Sequence, residues 1–125
     1  MNLTKFFFIS LFCGIFTLQA ESIPFNKADF EKAKLENKSI VLDVYAWWCP
    51  LCNMQESRLT SIIADEKDMT GYIVFTIKNS DSETKKEFNV QSRGTLIVFK
   101  GNLEKGRLVL DADKDKIRDL LKTGL

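Results

Sequence analysis

The sequence contains no histidine. Without an imidazole there is no Cys–His or Ser–His catalysis, and a metal would lack its usual nitrogen ligand. Charge of one sign is also missing. One of the 18 basic residues is Lys5, so residues 21–125 set 17 Lys and Arg against 17 Asp and Glu. That balance offers no electrostatic footprint for nucleic acid or for an anionic membrane surface. Cysteine is scarce: of three in 125 residues, only Cys49 and Cys52 lie beyond residue 20. There is no internal repeat and no low-complexity segment, and the length suits one domain.

Residues 1–20 read as a secretory signal. Lys5 is their only charge, the run from Phe6 to Leu18 is almost wholly apolar, and Gln19-Ala20 supplies a small residue for cleavage. The folded domain is therefore expected over residues 21–125. An uncleaved anchor is disfavoured because the run falls short of the roughly 20 residues that cross a bilayer. A lipid anchor at Cys13 is disfavoured by bulky Phe12. An exported chain with two thiols in one Cys-x-x-Cys fits an oxidising compartment, here a periplasm or an equivalent space.

The chain is organised around Ile40-Val41-Leu42-Asp43-Val44-Tyr45-Ala46-Trp47-Trp48-Cys49-Pro50-Leu51-Cys52. A nearly continuous apolar run from Ser39 to Ala46 predicts a strand covered on both faces. It stops at two thiols that open a predicted helix. Pro50 suits the first turn, where its missing N–H has no partner to lose. Peptide dipoles and free N–H groups at a helix start stabilise a thiolate, the form that attacks a disulfide. Cys49 is expected at the surface and Cys52, one turn in, more deeply buried. Two other uses remain open: a fixed disulfide, which in so short a loop adds little stability, and a metal site, which needs about four ligands. Asp43 inside an apolar strand predicts a raised carboxyl pKa, unless it sits at an exposed edge register.

Elsewhere the pattern is ordinary. Asn26 caps a helix running to about Asn37, with Phe25 and Phe30 as a hydrophobic staple. From Leu51 to Ala64, the residues Leu51, Met54, Leu59, Ile62 and Ile63 form one apolar arc. Gln55 and Arg58 interrupt it, which predicts partial exposure near the thiols. Tyr72 to Ile77 is a second strand. Ser80 and Glu83 have capping-box spacing for a short helix ending near Phe88. Thr95 to Lys100 is a third strand, and Arg107 to Asp111 a fourth, its antiparallel hairpin partner. Ile117, Leu120 and Leu121 mark a last helix closed by Gly124.

This order, with Asp43 six residues before Cys49 and Trp48 immediately before it, resembles the thioredoxin family. The resemblance implies an α/β fold: a mixed central sheet flanked by helices on both faces. It implies a thiol–disulfide oxidoreductase without a cofactor. Cys49 would attack, Cys52 would resolve, and Asp43 would accept a proton from the buried thiol. Trp48, Pro50, Leu51, Arg93, Gly94 and Thr95 would contact substrate. The family's cis-proline before Thr95 is Gly94 here, so the Arg93–Gly94 bond is expected to be trans and the peptide clamp altered. Asn53 replaces a common Lys, and Pro50-Leu51 replaces Gly-Pro. By the same resemblance the partners are protein disulfides and a transmembrane thiol reductase that donates electrons. The chain is expected to act as a monomer, more as reductant than as oxidant. A different class of function is a binding or chaperone module that uses Trp47 and Trp48 with little redox activity. A variant of it shares a metal between two chains through the Cys pair.

Overall fold

The computed structural model of the protein describes residues 21–125. The signal segment expected over residues 1–20, with Cys13, lies outside them. In chain order the elements are β1 (Ser22–Pro24), α1 (Lys27–Leu35), β2 (Ser39–Tyr45), α2 (Pro50–Asp65), a 3-10 turn (Lys67–Met69), β3 (Ile73–Lys78), α3 (Ser82–Glu87), β4 (Thr95–Lys100), β5 (Leu103–Val109) and α4 (Lys114–Lys122). The strands form one sheet in the order β1-β3-β2-β4-β5. Strand β2 is central, parallel to β3 and antiparallel to β4. This is the mixed α/β sheet that the sequence predicts.

Side chains on a strand alternate between faces, and β2 shows both. Ile40, Leu42 and Val44 pack with Phe30 and Ala33 of α1 and with Phe75, Ile77, Ile97 and Phe99. Val41 points the other way, against Leu59, Ile62 and Ile63 of α2 and Ile117 and Leu121 of α4. Asp43 is in register with Val41, so its carboxyl lies on the α2 side of the sheet. That placement ties the acid to the helix carrying both thiols.

Asn26 caps α1, accepting the Asp29 N–H at 3.1 Å, and the Phe25 and Phe30 rings meet at 5.7 Å. One strand has no counterpart in the sequence pattern, and three expectations need correction. The short strand β1 has too few residues to show a period, and only its pairing with β3 defines it. Strand β5 covers Leu103–Val109, not Arg107 to Asp111. It is an exposed edge with no apolar alternation to read, and Leu110 ends it by adopting a left-handed φ of 52°. Helix α3 is capped by Asp81, not Ser80: the Asp81 carboxylate accepts both the N–H and the hydroxyl of Thr84. Helix α4 ends at the cap Thr123. Gly124 is there for space, because a Cβ would lie 2.6 Å from Val98 Cγ1.

Candidate active site

The site begins where β2 ends. After Tyr45 the chain turns through Ala46, Trp47 and Trp48, and Cys49 becomes the N-cap of α2 with extended backbone, φ −97° and ψ 107°. Its Sγ accepts the Cys52 N–H at 3.1 Å, as a cap oxygen would. Pro50 follows as the first helical residue, and no acid occupies the first turn of α2. The positive end of the helix is thus left to the sulfur. Cys49 and Cys52 are disulfide-bonded, with Cα atoms 5.2 Å apart. Reduced, the same geometry would hold a thiolate at Cys49 against a peptide N–H and the helix dipole.

Cys49 is not at the surface. It is 3 % exposed and Cys52 0 %, both packed with Ala46 and against Tyr45 and Leu51. The expected order of burial holds, but the step between the two is small. Leu51 and Tyr45 pack against the pair, whereas Pro50 is exposed.

Asp43 is fully buried on the central strand, and neither carboxyl oxygen has a hydrogen-bond partner. An edge register is therefore ruled out. Burial pushes the carboxyl up to about 7, with the charge of Glu56 on α2 adding to the rise. At neutral pH such a group is close to half protonated and can take or give a proton.

Gly94 closes the other side. An added Cβ would lie 3.0 Å from Leu51 Cδ2, 3.2 Å from Leu110 Cδ2 and 3.8 Å from Cys52 Sγ. The peptide before Gly94 is trans, its φ is +71°, and its N–H donates to Val44 O at 2.7 Å. A proline here would have neither that φ nor that N–H. Gly94→Pro is therefore expected to lower stability by roughly 3 kcal/mol; urea unfolding of the two proteins checks it, and an unchanged midpoint would refute it. Thr95 is buried and turns its hydroxyl back to Ser92 O at 2.7 Å, away from any substrate role through that group. Arg93 lays its guanidinium over the Trp48 ring, 4.8 Å from the centroid.

Both tryptophans are exposed, Trp47 at 80 % and Trp48 at 53 %. Asn53 braces their loop, accepting the Tyr45 hydroxyl and donating to Trp47 O at 3.4 Å.

Gln55 was expected near an exposed stretch and is instead wholly buried. Its Nε2 donates to Gly94 O at 3.1 Å and to Asp111 O at 3.0 Å. One side chain thus pins α2 to the two adjoining segments that flank the β4–β5 pair, which Leu110 N–H and Gly94 O already join at 2.9 Å. The signal was available: a polar residue on an apolar arc is buried only when hydrogen-bonded. Arg58, the other interruption, similarly reaches Ala112 O, whereas Met54 of the supposed apolar arc is exposed. Gln55→Ala leaves a cavity and the Asp111 carbonyl short of a donor, so a loss of about 2 kcal/mol is expected. Thermal unfolding measures it, and a Tm within error of wild type would refute it.

Three kinds of comparison agree with this geometry. The thioredoxin family model matches residues 21–123. The thioredoxin of Mycoplasmoides gallisepticum is 28 % identical over 97 residues, covering 78 % of this chain and 95 % of that one. Thioredoxin H4 of Arabidopsis thaliana is 33 % identical over 91 residues, or 70 % and 72 % of the two chains. Among solved structures, Trxlp of Edwardsiella tarda superposes with a TM-score of 0.75 at 26 % identity, covering 81 % of this chain and 98 % of that one.

Proposed function

Because this chain belongs to the thioredoxin family of thiol–disulfide oxidoreductases, we propose that it reduces disulfides of exported proteins through Cys49 and Cys52. The observation that carries the proposal is Cys49 as the sulfur cap of α2, bonded to Cys52, with unpartnered Asp43 buried on the same side of the sheet.

The Cys49 thiolate attacks one sulfur of a substrate disulfide. That bond breaks, a mixed disulfide forms, and the first substrate sulfur leaves as a thiolate that takes a proton. The Cys52 thiol passes its proton to the Asp43 carboxylate and attacks Cys49 Sγ. The second substrate thiolate departs and is protonated in turn. Two electrons have moved from the dithiol to the substrate, and the Cys49–Cys52 disulfide remains. Burial of both cysteines favours a substrate that lays an extended segment along Trp48, Pro50, Leu51, Arg93 and Gly94, bringing its own sulfur to Cys49.

Export is supported by the Lys5 and apolar Phe6–Leu18 pattern. In this reading the chain works as a monomer in the periplasm or an equivalent space, and a transmembrane thiol reductase recharges it. The reducing direction is supported by the likeness to thioredoxins together with the expected export. Equilibration with glutathione tests it. A potential near the about −270 mV of thioredoxins supports a reductant, and one near the about −120 mV of strong oxidants overturns that direction.

A further inference from the structure

Next to Gly94 lies a cation with no anionic partner among the described residues. The Arg93 guanidinium stacks on Trp48, yet its Nε is buried without a hydrogen-bond partner. Among the described residues no carboxylate lies within ion-pair distance of Arg93. Stacking fixes the plane of a guanidinium, and a fixed plane suits the two oxygens of a carboxylate. Trp48 also lines a groove of about 370 Å³, together with Tyr45, Trp47 and Lys78. Lys78 is exposed and has no carboxylate partner among the described residues either.

Among the described residues the nearby acids Glu56, Asp111, Asp81 and Asp43 form no ion pair with Arg93 or Lys78. Asp111, beside the Gly94 loop, is held by Lys116 at 2.7 Å. Asp81, next along from the groove, keeps its charge but turns both oxygens to the N–H and hydroxyl of Thr84. Asp43 is buried, and burial favours its neutral form. Two cations without a carboxylate partner thus lie beside one exposed indole, on a domain with no net charge. The arrangement is specific: Arg93 is bonded directly to Gly94, which faces Cys52 Sγ.

We propose that Arg93, held flat by Trp48, selects disulfide substrates that carry Asp or Glu beside the reacting cysteine. Resting on the redox reading above, the proposal narrows it to acidic segments. The substrate carboxylate pairs with the outer edge of the guanidinium, through its Nη groups, while an apolar neighbour lies along Trp48 and the groove. Basic segments meet Arg93 and Lys78 as like charges and are turned away.

The test is the rate at which the pre-reduced protein opens three peptides of one length and one internal disulfide, flanked by Glu, Gln or Lys. The wild type is expected to prefer Glu over Lys by about tenfold in second-order rate at low salt. High salt should shrink the preference. Arg93→Gln should bring the Glu and Lys rates close to that of the Gln peptide, a ratio near one, and Arg93→Lys should keep part of the preference. Equal rates for all three peptides with the wild type would overturn the acidic preference and leave the redox reading standing. So would a ratio unchanged in Arg93→Gln. Failure to open any peptide would remove both.

Discussion

Cys49→Ser is expected to reduce disulfide exchange to the uncatalysed background, whereas Cys52→Ser keeps the first attack and accumulates mixed disulfides. The asymmetry follows from position. Cys49 Sγ occupies the cap of α2, takes the Cys52 N–H at 3.1 Å and has no acid in the first helical turn to compete with it. Cys52 has none of these advantages and is completely buried, so it meets only a sulfur already delivered by Cys49. A serine hydroxyl at Cys49 cannot ionise usefully near neutral pH, and no neighbouring imidazole exists to activate it. Incubation with an oxidised protein substrate followed by non-reducing electrophoresis reads the outcome. Trapping by Cys49→Ser and not by Cys52→Ser would exchange the two roles.

Asp43 gives the second large effect, and its sign is definite. The carboxyl is raised from 3.8 to about 7 in the folded chain, by burial first and by Glu56 second. Between those pH values the native state holds a proton that the unfolded state has lost. Stability is therefore fully present below about pH 4, falls as pH rises towards 7, and levels off above it. The shift corresponds to about 4 kcal/mol over that window. Asp43→Asn should flatten this part of the curve. At pH 8 it should be more stable by about 2 kcal/mol, once the cost of an unpartnered buried amide is counted. Its exchange should be slower by on the order of a hundredfold if, as proposed, Asp43 accepts the Cys52 proton. Denaturant unfolding from pH 4 to 8 and the lifetime of the mixed disulfide measure the two sides. A variant with the wild-type pH slope and wild-type lifetime would separate Asp43 from the thiols.

The centre of the fold was legible because its signals are local. An unbroken apolar strand, a proline one residue into a helix and two thiols a turn apart each follow from short-range chemistry. What escaped is set by distant parts of the chain. Strand β1 exists only through its pairing with β3, and Gln55 is buried because two carbonyls, of Gly94 and Asp111, converge on it from loops far along the chain. The burial of Cys49 has the same origin, since Leu51 and Ala46 close over a helix start that in isolation would face water. Gly94 shows the limit most clearly. The sequence marks a missing proline, but only the backbone reveals a φ of +71° and an N–H committed to Val44 O.

The most direct measurement mixes the fully reduced protein with an equal amount of insulin, with no other thiol present, and follows both partners by acid quenching and mass spectrometry. The expected result is loss of two protons' mass from the protein as Cys49–Cys52 closes, matched by opening of one insulin disulfide. A protein that stays reduced while insulin stays oxidised would contradict the assignment of a working dithiol to Cys49 and Cys52.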